Sequence, residues 1–447
     1  MRWAGGASGP ARSSALTNFL HPMPRILIGF LATFAVALPV AWLMTRDDHR
    51  PAGRVAAALP PGPRPGDSTD VRIGKLQATV RAEPRRADGY TLLAGAYLQK
   101  VRETGDASFY QRAGIAVDRA LQLAPGDPAG LTERSALALA RHDFRAGLSD
   151  AQRARAAAPQ VNKPFGVLVD ALVELGRYDA AGRALQQMVD RRPDLAAYAR
   201  ISYFRELHGD LDGAVRAMQA AVSAGGDVPE NEAYVRSLLG GLELQRGRLD
   251  AAARSFRAAL VAVPGYVPGE AGLAKVDVAH GDLGRAIRRL RGVVARLPLP
   301  EHVVALAEAE RAAGRQAASR RDLDLARAEQ RLLARSGVNT DTETAIFEAD
   351  HGSPARAVAL ARRAWEAAPS VRSADALGWA LTRAGQAREA LPWAAKALHL
   401  GSRDPLFNLH AGLAARAAGK KELATRRLAI AREGRAALTA GAQGELR

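Results

Sequence analysis

The 447-residue sequence contains no cysteine. Disulfides, thiolate metal sites, iron–sulfur clusters and a cysteine nucleophile are therefore excluded. Aromatic residues make up only 5%, which argues against strands, where aromatic and β-branched side chains concentrate. Lysine is scarce too: seven of the 63 basic residues are lysine and 56 are arginine. Arginine reads phosphate well, but an arginine-over-lysine, alanine-rich bias is also what GC-rich coding produces. The formal charge of +17 is spread along the chain, with arginine pairs at 191–192, 288–289, 320–321, 362–363 and 426–427. A nucleic-acid binder would gather its basic residues with aromatics on one surface. The sequence also lacks a phosphate-cradling glycine loop followed by Lys-Ser/Thr, His-Glu-x-x-His, and Gly-x-Ser-x-Gly. What is present is 48% hydrophobic residues, rich in alanine. That suffices for a packed interior and favours closely packed helices.

One long apolar run stands out. Ile26–Met44 is 19 residues without a charge, close to the ~20 needed to span a bilayer. Arg25 precedes it, Arg46, Asp47 and Asp48 follow, and Trp42 sits at interfacial depth. Ala35-Val36-Ala37 offers a small-x-small cleavage site, but the apolar run continues past it. An uncleaved single-pass anchor is therefore expected, with cleavage and secretion as the alternative. Arginines are nearly balanced on the two sides, so charge does not set the orientation. Met23 provides a second start. Residues 46–69 carry Pro51, Pro60, Pro61, Pro63 and Pro65, the composition of a semi-extended linker.

The rest repeats. Pro125, Pro159 and Pro193 are 34 residues apart, as are Pro264 and Pro298. A glycine followed by a polar residue, then alanine five residues on, recurs as GRYDAA at 176–181, GDLDGA at 209–214, GRLDAA at 247–252 and GDLGRA at 281–286. It returns as HGSPARA at 351–357, GQAREA at 385–390 and GKKELA at 419–424. Each part has a physical reason. Small residues let two helices approach, the glycine takes the left-handed conformation that ends the first helix, and the proline stops the second.

Leu239-Gly240, Gly247, Ala252, Phe256, Ala259 and Pro264 appear in an order that resembles the tetratricopeptide repeat. Leu377-Gly378, Gly385, Ala390 and Ala397 repeat it. The likeness implies an all-α, right-handed superhelical solenoid of about ten helix pairs, and the apolar run Ile26–Met44 places one transmembrane helix before it. The expected divisions are a tail at 1–24, a membrane helix at 25–45, a linker with a short helix at 46–86, the solenoid at 87–436 and a tail at 437–447. KVRETGDASFY is expected to lengthen the turn of the first pair. Two 38-residue intervals, Gly209 to Gly247 and Gly314 to Gly352, mark changes of pitch. YLQKVRETGD, EADHG and DALGWAL resemble a bacterial, membrane-anchored type of tetratricopeptide protein, a likeness that implies no particular activity.

His142, His208, His280 and His351 fall at ends of first helices, where histidine can satisfy terminal carbonyls; a shared metal is not expected, nor any cofactor. Glu343, Glu348, Asp350 and His351 form an acidic cluster, with Arg356, Arg362 and Arg363 as partners in a solvated ion-pair face. By the family register, the concave surface carries Lys163, Asp170, Glu174, Tyr203, Glu206, Lys275, Glu308, Arg311, Arg372, Trp379 and Arg383. The candidate partner contacts are Trp379, Arg383, Arg372, Tyr203, Lys275 and Arg311. Trp379 and Arg383 are the most suggestive, one helical turn apart; Trp379 is as well placed for core packing as for ligand contact. Trp365 and Trp393 are expected to pack between helices. The implied function is a scaffold, not an enzyme, that binds proteins or peptide segments. It is expected at the inner membrane through Ile26–Met44 with the solenoid extracytoplasmic. The alternatives are an accessory subunit for envelope polysaccharide export or assembly, and a cytoplasm-facing regulatory or nucleic-acid adaptor.

Overall fold

The computed structural model describes residues 62–64, 66–191, 193–225 and 228–446. The run Ile26–Met44 lies outside them, and no described helix is long and apolar enough to cross a membrane.

The described residues fold into helices and turns without a strand. Helix α1 (Thr69–Ala82) packs on the first of ten helix pairs. The pairs are α2 (Ala87–Thr104) with α3 (Ser108–Leu123), α4 (Pro128–Ala140) with α5 (Phe144–Ala157), α6 (Asn162–Glu174) with α7 (Tyr178–Arg191), and α8 (Leu195–Leu207) with α9 (Leu211–Ser223). Next come α10 (Pro229–Gln245) with α11 (Leu249–Ala262), α12 (Val267–Ala279) with α13 (Leu283–Arg296), and α14 (Pro300–Ala312) with α15 (Gln316–Arg335). The last three are α16 (Asp341–His351) with α17 (Pro354–Ala367), α18 (Val371–Arg383) with α19 (Ala387–Ala397), and α20 (Pro405–Ala417) with α21 (Lys421–Glu433). A 3-10 turn, Arg435–Ala437, and a short helix α22 (Ala440–Gly444) follow.

The repeat grammar works locally as its chemistry requires. Gly176, Gly209, Gly247, Gly281, Gly314, Gly385 and Gly419 all have positive φ, ending the first helix in the left-handed conformation. Asp210 and Asp282 next to such glycines cap α9 and α13 by accepting main-chain N–H bonds. Ala252 and Ala390 are fully buried between paired helices. Gly352 departs from the rule, at φ −143°. The extra residues of the first pair do not lengthen its turn. They extend α2 to 18 residues and α3 to 16, joined by Gly105–Ala107. In the interval from Gly314 to Gly352, α15 runs on for 20 residues.

First helices pack on first helices, α2 on α4, α4 on α6, α6 on α8, α10 on α12, α16 on α18 and α18 on α20. They form the inner layer and second helices the outer one. The superhelix then meets itself. The turn inside each of pairs 1–5 abuts the connection that follows the pair five further on. Gly105 faces Leu297 and Leu299. His142 Nδ1 lies 2.7 Å from the Asn339 carbonyl, and Asn339 N–H donates to the Arg141 carbonyl at 2.9 Å. Tyr178 Oη accepts from Val371 N–H at 3.0 Å, beside Gly176 and Pro369. His208 neighbours His399, and Gly247 faces the Glu433 carbonyl. One apolar cluster therefore joins Leu131, Val167, Leu172 and Leu185 of the early pairs to Val371, Leu398 and Phe407 of the late ones.

Candidate binding interior

Closure of the superhelix changes what the inner wall can be. The sequence implies an extended concave surface; in the structure Glu174, Glu308 and Trp379 of that set are buried, Arg311 and Arg383 are exposed and the others are half-buried. The six predicted contact residues fall into four places.

Trp379 is 3% exposed. Its indole stacks on the His410 ring at 4.2 Å between centroids and 7° between planes, and its N–H donates to Asp350 Oδ1 at 2.9 Å. His410 Nδ1 in turn lies 2.9 Å from Asp375 Oδ2. One face and the polar edge of the ring are thus committed inside the protein, and Trp379 packs in the core. Arg383 spans the same spot. Its Nε donates to the Ala349 carbonyl at 3.2 Å, its guanidinium lies 5.3 Å from the Trp379 ring centre, and Nη1 is 3.4 Å from Glu445.

Arg372 and Tyr203 meet in a second place, with Glu174, Glu343, Tyr178 and His142. Arg372 pairs with Glu343 at 3.3 Å and with Glu174 at 3.8 Å. Burial pushes the Glu174 carboxyl up, opposed by Arg372. Burial likewise drives the Tyr203 phenol well above its ordinary value. The free space here is only about 30 Å³, room for one water. His142 takes the position glycine fills in other pairs, at φ 58°; its ring stacks with Phe144 and reaches across the joint to Asn339.

Lys275 is in a third place, on α12. Burial lowers its ammonium pKa, opposed by Asp404 and Glu301. Sequence reasoning did not single out its neighbours. Burial raises Glu301 to about 7 and, with Lys275, lowers His302 to about 4. Glu206, accepting a 2.8 Å bond from Gln245, is also raised to about 7 by burial. The register places Glu206 on the inner wall, but nothing in the local pattern of Glu301 and His302 distinguishes them from solvated positions. Arg311 stands alone in the fourth place, exposed at the end of α14.

The expected acidic cluster is not a solvated face. Glu348 is 6% exposed, and Asp350 turns inward to Trp379. His351 Nε2 lies 3.0 Å from Glu308 Oε1 instead of capping a helix end. Arg356 pairs with Glu348 at 3.4 Å as expected, whereas Arg362 and Arg363 pair outside the cluster, with Glu389 and Asp341. His208 does cap, 2.7 Å from the Phe204 carbonyl. Trp365 and Trp393 pack edge to face at 5.0 Å, as expected of inter-helix residues.

The inner wall of pairs 5–7 is not bare. After α21 the chain turns back inside. The 3-10 turn lies on α10 and α12, and α22 lies on α14. Ala436 and Ala437 join the apolar cluster of Leu244, Phe256 and Leu273, while Leu438 joins that of Trp379 and Leu413 on the opposite wall.

No family model matches the chain, and no curated protein matches it. Solved structures with a similar fold include the APC/C hetero-tetramer Cut9–Hcn1, at 13% identity and a TM-score of 0.43, where the match covers 70% of this chain and 53% of that one. This chain thus spans about half the length of that relative. A tetratricopeptide repeat protein from Parabacteroides merdae matches at 16% identity over 51% of this chain and 86% of that one, TM-score 0.39. The human IFIT1 dimer with PPP-AAAA matches at 13% identity over 81% and 86%, TM-score 0.44. None of these likenesses bears on what this chain does.

Proposed function

We propose that this chain is a protein-interaction scaffold, held at a membrane by Ile26–Met44, whose inner wall and open edge receive polypeptide segments. The observation that carries the reading is the stretch of ordinary polypeptide seated against three first helices, α10, α12 and α14. Against that stretch stand Leu244, Phe256 and Leu273 and one carboxylate, Glu308, which accepts from a main-chain N–H, chemistry suited to a peptide. The turns of pairs 6, 7, 9 and 10 are open among the described residues: a Cβ added at Gly281, Gly314, Gly385 or Gly419 would meet none of their atoms within 4 Å. Arg311 sits beside this open row, and arginine is enriched at binding hot spots.

A photo-crosslinking side chain at position 311, compared with one at Val261, 83% exposed on the outer layer, tests the reading in intact membranes. Discrete protein adducts are expected from 311 and not from 261. Equal patterns at both positions, or none from either, would overturn it. The full chain should also resist alkaline carbonate extraction, while a chain beginning at Val71 should not sediment.

A further inference from the structure

The segment that follows the tenth pair is held by contacts that select its sequence. At one end, Gly434 lies against the C-terminal end of α10: a Cβ there would stand 2.7 Å from the Gln245 carbonyl oxygen. At the other end, Gly441 N–H donates to Glu308 Oε2 at 3.0 Å, and a Cβ on Gly441 would stand 2.6 Å from the carboxyl carbon of Glu308. Between them, Ala436 and Ala437 are nearly fully buried, Leu438 is 3% exposed, and the Thr439 hydroxyl reaches Glu308. Glu308 is itself 6% exposed and fixed from behind by His351 at 3.0 Å. Burial alone would raise its carboxyl pKa, yet His351, Thr439 and the Gly441 N–H hold it below the ordinary value. The carboxylate is thus already aimed at a threonine hydroxyl and a glycine N–H.

We propose that the wall formed by α10, α12 and α14 is a peptide site that reads the pattern Ala-Ala-Leu-Thr-small-Gly, that residues 435–441 occupy it in cis, and that a partner protein carrying this pattern takes their place. Leucine enters the apolar cluster of Trp379 and Leu413 opposite that wall, the alanines and glycine allow close main-chain approach to the wall, and Glu308 reads the hydroxyl and the amide. The inference rests on the scaffold reading and names its partner class. A tethered occupant competes at an effective concentration in the millimolar range, so a partner must either bind tightly or meet the segment already released.

The test uses the full chain in detergent and a labelled synthetic peptide of residues 434–446, read by fluorescence anisotropy. Leu438→Asp with Gly441→Val opens the site in cis. The opened variant should bind the peptide at least tenfold more tightly than wild type, and adding Glu308→Gln should reverse this at least tenfold. An opened variant with wild-type helical circular dichroism that fails to bind, or that binds regardless of Glu308→Gln, overturns the inference. Hydrogen exchange on wild type keeps the idea testable if the opened variant does not fold. Amides of 435–446 should exchange at least tenfold faster than those of α10, α12 and α14, and equal rates would show the segment to be fixed core. Loss of peptide binding with the crosslinks at 311 intact would sink this site alone; loss of both would sink the scaffold.

Discussion

Two rows of turns run along this solenoid, written in one sequence grammar and placed in different surroundings. In pairs 1–5 the turn between paired helices presses on a connection nearly two hundred residues further along, as with His142 and Asn339, 197 residues apart. In pairs 6, 7, 9 and 10 the same turn faces none of the described residues: the Cβ position of Gly314 is open, whereas that of Gly176 collides with the Pro369 carbonyl. Stacked repeats are usually quasi-one-dimensional, each touching only its neighbours. Here the mated row adds long-range joints and buries charges on the inner wall, so the early and late pairs share one core. The expectation of purely local stability therefore applies to the open row and fails at the mated one.

The largest effect should come from Gly176→Ala set against Gly314→Ala. Both place alanine at positive φ, 69° and 78°, which costs about 1–2 kcal/mol. Only at 176 does the added methyl overpack a joint against main chain, a further ~1–3 kcal/mol. Urea unfolding should show the difference, and hydrogen exchange in Gly176→Ala should speed up at 368–372 as well as at the mutated turn. Equal losses in the two variants would mean that the joint contributes nothing.

A smaller effect isolates one hydrogen bond of the joint. Tyr178, 7% exposed, accepts from Val371 N–H. Tyr178→Phe leaves that buried N–H without its partner, which costs about 1–3 kcal/mol. Tyr90→Phe is the control, since its hydroxyl makes only an exposed 3.4 Å contact to the Pro84 carbonyl; a change within ~0.5 kcal/mol is expected there. Matching midpoints for the two variants would contradict the assignment of stability to the joint.

Much of this was readable beforehand. The 34-residue spacing, the turn glycines and the buried alanines placed ten helix pairs, because those signals are local and repeat. The joints were not readable, because they depend on how small rotations per pair accumulate over five pairs, which no single repeat encodes. Trp379 shows the consequence. Its register position is that of a groove residue, and its neighbour Arg383 is where a binding pair would be. Yet His410 and Asp350 arrive from elsewhere to occupy Trp379, while Arg383 pairs with Glu445 and stays exposed. Lys275 and Tyr203 were placed on the inner wall by register, and both are half-buried there. Glu301 and His302 gave no signal at all, being an ordinary pair of polar residues at a helix start. His142 is the one joint residue with a local mark, a non-glycine in a glycine's place.

The smallest effect is a slope with pH, and it asks whether the interior is equally closed beneath both rows. Glu206, in a pair of the mated row, and Glu301, in a pair of the open row, are each raised to about 7 by burial. A carboxyl whose folded pKa lies above its unfolded value of about 4.3 binds its proton more tightly when folded. Its contribution is fully present below the unfolded pKa and is lost as pH rises through 7. His302, lowered to about 4 by burial and Lys275, acts in the opposite sense: its contribution is present above about 6.5 and is lost as pH falls toward 4. The two tendencies oppose below pH 6.5, so the clean window is pH 6.5 to 8, where wild type should lose stability with rising pH. Glu206→Gln and Glu301→Gln should each flatten that fall, gaining on wild type at pH 8 and differing little at pH 5, as read from urea midpoints at the three pH values. Slopes unchanged in both variants would mean that neither carboxyl is held from water. A slope flattened by Glu206→Gln but not by Glu301→Gln would show that the interior is sealed only where one superhelical turn rests on the next.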